Sequence, residues 1–308
     1  MAKKEFDFVA KRKTFMIIPC VVLAAAIIVL LIFNLEVAIE FKGGTMLTYS
    51  YDGDVDLAEI EDYVSSLGYN GVRVTRGSSI GGELETFTIG FASTEGLSSD
   101  AQQEISQGLI SRFEHGITLE NSQDVSASTG SSFFFKCLVA VFFSFVVLMI
   151  YIGFRFKKIG GWSAGLFALI ALLVDVMVVI STFIFFRLSV DANFMAVVLT
   201  ILGYSINNTI VVYDRIRENR NLYGKKLSFT ELVNKSVNQS LTRSVYTTVT
   251  TAAAVIVICV VAVFMGVPSI ISFAFPMFVG LCSGLFSSLC LAGPLWAGWK
   301  ERKSAKTA

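Results

Sequence analysis

Charge is what this 308-residue sequence has least of. Asp, Glu, Lys and Arg together make up 16% of it, against about 25% in soluble domains. With 54% hydrophobic residues and a mean hydropathy of +0.67, the chain calls for lipid as its solvent. Histidine is almost missing: His115 stands alone, and one imidazole cannot build a metal site. Cys20, Cys137, Cys259, Cys282 and Cys290 all lie in or at the edge of apolar segments. That placement excludes a disulfide framework and carries no metal-ligand spacing. The net charge of +1 gives no ground for a nucleic-acid partner.

What is present in quantity is long apolar sequence. Six runs suffice to cross a hydrocarbon core, which takes roughly 20 helical residues. They fall near Phe15–Phe33, Phe133–Phe154, Trp162–Phe186, Phe194–Tyr213, Ser244–Met265 and Ile270–Trp299. The last run contains Pro276 and Pro294, which predict a kink or a tilt. The first follows Lys3, Lys4, Lys11, Arg12 and Lys13 without a small-residue cleavage site, so it reads as an uncleaved signal anchor. If the six spans alternate, eighteen of the twenty-five Lys and Arg residues fall on one side. By the positive-inside rule both termini are expected in the cytoplasm.

Between the first two runs lies a polar stretch with sixteen acidic and four basic residues, a net charge of −12. Strand patterns at Thr45–Tyr51, Gly71–Val74 and Thr86–Phe91, and a last one from Ile117–Leu119 and Val125, alternate with two helical patterns. Asp56 with Glu59 opens the first of these helices and Ser99 with Gln102 the second. A turn at Gly77–Gly82 joins the middle strands. The order β-α-β-β-α-β is the ferredoxin-like motif. The fold class expected is therefore a polytopic α-helical membrane protein with an exported α+β domain. Its division is a cytoplasmic tail over 1–14, a span over 15–33, the exported domain over 36–131, and spans two to six over 133–299. A cytoplasmic loop is expected near 214–243 and a cytoplasmic tail over 300–308.

Polar side chains inside the spans are the candidate functional residues, because each is expensive in lipid unless it faces protein or water. Asp175 lies about thirteen residues past Trp162, roughly 20 Å in from the cytoplasmic edge. It reads as a proton or ion relay, or as a structural acid bonded to a neighbouring helix. Asn207 and Asn208 are adjacent near the end of the fourth span. They point about 100° apart, so at least one is expected to face a polar cavity or a second helix. Arg243 opens the fifth span beside Thr247, Thr248, Thr250 and Thr251, which suggests a hydrated vestibule next to Asn208. Ser228 with Glu231 predicts a capping box opening an amphipathic helix on the membrane surface. Gly280, Gly284 and Ser288 repeat every four residues and predict a helix-packing face. An aspartyl protease dyad of Asp175 and Asp214 is disfavoured by about 10 Å or more of helix height between them. No catalytic constellation is otherwise evident.

Several of these stretches together resemble the SecF family of protein-export membrane proteins. GYSINNTIVVYDRIREN, from Gly203 to Asn219, is similar to the family pattern GYS-x-N-D-T-x-VV-x-DRIREN. It contributes Gly203, Tyr204, Ser205, Asp214, Arg215, Arg217, Glu218 and Asn219. SLTRSVYTT resembles the arginine motif of span five, ALLVDV the acid motif of span three, and IEFKGGT, with Phe41, Gly43 and Gly44, the DF-x-GGT motif after span one. The resemblance implies a multi-pass protein of the bacterial cytoplasmic membrane that pairs with SecD and associates with the SecYEG channel. It implies ion-gradient-driven outward movement of secreted polypeptides, with no cofactor beyond the coupling ion, H⁺ or Na⁺. Two departures bear on this. The family has Asp where this chain has Asn208, which cannot titrate, and Gly-x-Asp where it has Ala38 and Glu40. The alternatives are a homo-oligomeric small-molecule exporter of the same superfamily and a non-catalytic assembly subunit.

Overall fold

Helices long and apolar enough to cross a membrane recur six times in the computed structural model. It describes residues 6–33, 37–52, 55–69, 71–78, 85–91, 97–113, 116–224, 226–265 and 267–307. Lys3, Lys4, Glu36, His115, Lys225 and most of the predicted Gly77–Gly82 turn lie outside those residues. The first membrane helix, α1, covers Arg12–Phe33. A one-turn helix, α2 (Ile39–Lys42), leads into the sheet region. There β1 (Gly44–Tyr51), α3 (Leu57–Ser66), β2 (Val72–Ser78), β3 (Glu85–Phe91), α4 (Ser99–Arg112) and β4 (Thr118–Val125) follow in order. The remaining helices are α5 (Ala127–Arg155), α6 (Gly161–Phe185), α7 (Ala192–Tyr223), α8 (Phe229–Phe264), α9 (Pro268–Phe286) and α10 (Gly293–Thr307). A π-helical turn at Ser287–Ala292 joins the last two.

The four strands form one antiparallel sheet in the order β2-β3-β1-β4. Alternation puts Leu47, Tyr49, Tyr51, Phe87, Ile89 and Phe91 on one face, where they bury against Ile60 and Val64 of α3 and Ile105 and Leu109 of α4. The last two residues stand at the helical spacing read from the sequence. Both caps differ in detail from expectation. Asp56 accepts from Ala58 N–H, but the cap of α4 is Ser98 rather than Ser99, accepting from Ala101 N–H. Burial pushes the Tyr49 phenol above its ordinary value, partly opposed by its hydrogen bond to Ser106.

Two expectations about the cytoplasmic side are corrected. The motif helix does not stop at Tyr213; α7 continues to Tyr223, so Asp214–Asn219 is helical. Nor is there a separate surface helix before the fifth span. The Ser228–Glu231 capping box is present, but it opens a single 36-residue helix, α8. Its Val233 and Val237 are buried and pack toward Gly293 of α10. Within 214–243 the described residues are thus mostly two helix extensions, of α7 to Tyr223 and of α8 from Phe229. Buried aromatic packing anchors the base of the first: Tyr213 donates to the Ala164 carbonyl at 2.9 Å, meets Phe156 edge-on and lies tilted against Trp296. The regular α-helix of the sixth span gives way at the π turn, while α9 runs as α-helix through Pro276. Pro294 lacks an N–H and crowds the carbonyl four residues earlier, at Cys290, inside that turn.

Candidate functional site

Asp175 sits at the middle of α6, about 21 Å along the helix from Gly161, and is completely buried. Three hydroxyls donate to its carboxylate. Ser205 of α7 reaches Oδ2 at 2.5 Å, Ser287 of the π turn reaches Oδ2 at 2.7 Å, and Ser283 of α9 reaches Oδ1 at 2.6 Å. All its hydrogen-bond partners among the described residues are neutral. The acid is therefore knotted to two neighbouring helices, and no Lys or Arg among the described residues forms an ion pair with it.

Small residues make that approach possible. A Cβ built on Gly284 would lie 3.0 Å from Ser205 Cβ, and one on Gly280 would lie 2.7 Å from Ile201 Cγ1. The predicted packing face is thus seated on α7. Ser288 adds Oγ contacts to Thr209 at 2.9 Å and to the Ser205 carbonyl at 3.2 Å. The π turn begins at Ser287, where the extra residue per turn changes which side chains face α6 and α7. Such turns recur at functional sites.

The other residues singled out in the sequence divide into separate places. Asn208 is buried, and its Nδ2 has no hydrogen-bond partner among the described residues; the same holds for Ser244 Oγ. The antiparallel register that joins Tyr204 Oη to Thr248 Oγ1 at 3.2 Å and Asn219 to Ser236 at 2.8 Å brings Asn208 level with Ser244. A second polar locus therefore lies on the α7–α8 seam. Asn207 is exposed instead, on the face of α7 that also carries Thr200 and Gly203, and nothing lies within 4 Å of a Cβ at Gly203. Arg243 and Tyr246 are likewise exposed on α8. The expected vestibule of Arg243 and threonines beside Asn208 does not form. Of the threonines only Thr248 is buried, while Thr247, Thr250 and Thr251 bond back to carbonyls of their own helix.

The charged half of the motif forms a polar strut beyond the apolar part of α7. Asp214 lies 3.3 Å from Arg155 of α5 and 2.9 Å from Arg217. Arg215 reaches Gln239 and Glu218, and Asn219 donates to Ser236 and Gln239 at 2.8 Å. Asp214 is nine residues beyond Ser205 on one helix, about 13 Å, so it cannot form a dyad with Asp175. Phe41 is buried against Phe133 and Phe134 of α5. Gly43 and Gly44 turn the chain into β1 with φ of 87° and 142°.

The family model described as protein export membrane protein SecD/SecF, C-terminal, matches residues 106–302. The protein translocase subunit SecF of Acidaminococcus fermentans is 36% identical over 301 residues, covering 97% of this chain and 99% of its own length. The chain belongs to the SecD/SecF family. The SecDF subunit of Bacillus subtilis is 32% identical over 305 residues, which is 98% of this chain and 39% of that one. The crystal structure of SecDF from Thermus thermophilus, a translocon-associated membrane protein, matches with a TM-score of 0.81 at 27% identity, covering 97% of this chain. The chain spans 39% of that SecDF structure's length. Family membership and six apolar helices make this a multi-pass membrane protein.

Ser283 and Ser287 were not singled out by the sequence reading. Their signal was two hydroxyls four residues apart, flanking Gly284, in an otherwise apolar run.

Proposed function

We propose that the chain is a SecF-type subunit of the Sec protein-export machinery. Paired with a SecD-type half, it uses the transmembrane ion gradient to promote outward movement of secreted chains through SecYEG. It works in the bacterial inner membrane, with both termini cytoplasmic and a ferredoxin-like domain outside, and it has no catalytic centre of its own. The observation that carries this reading is Asp175 held by three hydroxyls from two other helices. An ionised carboxylate there has no ion-pair partner among the described residues, and a proton or Na⁺ would supply that balance. Loading and unloading would change how α6, α7 and α9 hold one another, which is the differential interaction that a two-state cycle requires. One charge crossing 100 mV supplies about 2.3 kcal/mol, enough to bias such a cycle.

Because Asn208 does not titrate, the charge change falls on Asp175 and on acids of the partner. The oxygens of Asn208, Ser244 and Thr248 are hard donors of the kind Na⁺ takes, so Na⁺ coupling is the specific form of the proposal. The open polar faces of α7 and α8, with Thr200, Asn207 and Arg243, are where the second half fits. Purified complex should therefore show export stimulated by an imposed Na⁺ gradient. Stimulation by a proton gradient alone would sink the Na⁺ form. Stimulation by neither, with the complex intact, would leave an assembly subunit. Failure to co-purify a SecD-type subunit would favour a homo-oligomeric exporter.

A further inference from the structure

Residues 37–44 connect the first span to the sheet, and their side chains engage three different bodies in succession. Ile39 enters the sheet. A Cβ on Gly44 would lie 2.9 Å from Ile39 Cγ2 and one on Gly90 would lie 2.7 Å from Ile39 Cδ1, so these glycines of β1 and β3 leave its socket. Glu40 turns to α7, where its Oε2 accepts the N–H of Ala192, the first residue of that helix, at 3.0 Å. Phe41 turns to α5, between Phe133 and Phe134, and a Cβ on Gly130 would lie 3.0 Å from its carbonyl. The backbone adds a bond from Ala38 N–H to the Val190 carbonyl at 3.0 Å.

Where this elbow attaches matters as much as what it touches. The sheet is entered at Gly44 and left at Val125, and these two residues are paired neighbours. Both chain connections of the domain therefore lie at one corner, on the interior strand β1 and its neighbour β4, while β2 at the opposite edge also contacts α9. At the other end, α7 also carries Ser205, which holds Asp175. Ala192 and Ser205 are thirteen residues apart on one unbroken helix, about 20 Å. A carboxylate is well placed at the positive end of that helix. Asp191 caps the same end through Phe194 N–H, but only Glu40 comes from the elbow.

We propose that Glu40 is the coupling residue of this protein: its bond to the first residue of α7 passes displacement of that helix to the exported sheet through Ile39. It is a positioning residue, acting on the domain and not on the ion, and the proposal rests on the ion-driven reading above. Its carboxylate lines a cleft of about 680 Å³ with Ser128, Thr129, Ser132 and Lys136.

The test uses the complex with its SecD-type partner in proteoliposomes, with the five native cysteines replaced by alanine. Spin labels go on Ser65→Cys in α3 and Phe264→Cys at the end of α8, both exposed. The distance distribution is measured with and without an ion gradient, alongside export. The expected result is a gradient-dependent shift with Glu40 present. In Glu40→Ala that shift is lost and the gradient-stimulated part of export falls at least tenfold, while co-purification and gradient-independent export hold. Glu40→Gln, which keeps an acceptor oxygen, should retain at least half the stimulation. A Glu40→Ala complex that still shifts overturns the inference alone. Loss of the complex in both variants overturns it in favour of an assembly role. No shift and no stimulation in the parent complex would refute the ion-driven reading itself, and the inference with it.

Discussion

If Asp175 is held by the serines as the geometry indicates, removing a hydroxyl should matter only while the carboxylate is there. Ser283 is its one partner on Oδ1 among the described residues, while Ser205 and Ser287 share Oδ2. A hydrogen bond to a charged group contributes about 1.5–3 kcal/mol. Neutral side-chain pairs between membrane helices average about 0.6 kcal/mol. Ser283→Ala should therefore destabilise the parent protein by about 1.5–3 kcal/mol and an Asp175→Asn background by only about 0.6 kcal/mol. The coupling energy in that double-mutant cycle should be about 1–2 kcal/mol, measured by equilibrium unfolding in mixed micelles. Ser181→Ala is the control: this hydroxyl is also buried on α6 but bonds to the Met177 carbonyl of its own helix, and it should show no coupling to Asp175. If Ser283→Ala and Asp175→Asn add to within about 0.3–0.5 kcal/mol, the three-hydroxyl site is wrong.

Gly284→Ala should push α9 off α7, because the new methyl meets Ser205 Cβ at 3.0 Å; about 1–3 kcal/mol of overpacking would appear as a lower Tm in detergent. Gly203→Leu has open space around it, so it should leave the isolated subunit's Tm unchanged yet reduce co-purification of the SecD-type partner. Asn219→Ala removes buried bonds to Ser236 and Gln239 and should cost about 1–3 kcal/mol. Asp214→Asn, at a half-exposed ion pair, should cost no more than about 1 kcal/mol in the same unfolding assay. The cap bonds from Ser228 N–H and Oγ hold the Glu231 carboxyl below its usual range. A value lower when folded than unfolded stabilises the fold above about pH 4.3, and that contribution is lost as pH falls further; Glu231→Gln should flatten that part of the acid limb in a thermal melt.

The spans and the sheet were legible because their signals are dense. Twenty apolar residues in a row, or Leu47, Tyr49 and Tyr51 alternating on one strand, leave few alternative structures. Hydrophobicity does not, however, mark where a helix leaves the membrane. That is why α7 and α8 were each read as ending or beginning at the charged edge, when both continue through it on buried contacts from Tyr213, Val233 and Val237. The site was half legible. Asp175 announces itself because an acid in lipid is rare, whereas Ser283 and Ser287 look like ordinary small residues of a packing face. Their role depends on the register set by the π turn, and no local pattern encodes which way that turn points.

Asn208 and Asp175 are best understood as different parts. Neighbouring flanks of the motif helix meet two partners: Ser205 goes to Asp175, Tyr204 bonds to Thr248 of α8, and the register sets Asn208 level with Ser244 of α8. None of the hydrogen bonds that hold Asp175 among the described residues comes from Asn208, so an amide there leaves that hydroxyl set unchanged. What the amide alters is the seam with Thr248 and Ser244, where it offers an oxygen without a charge. A path through this protein would then combine a neutral, oxygen-lined seam with one buried charge held from two helices. In that arrangement selectivity for the ion and the work done by the ion would reside on neighbouring flanks of α7, about 60° apart around the helix. Substitutions on the seam should change which ion drives export. Substitutions at the knot should change whether any ion does.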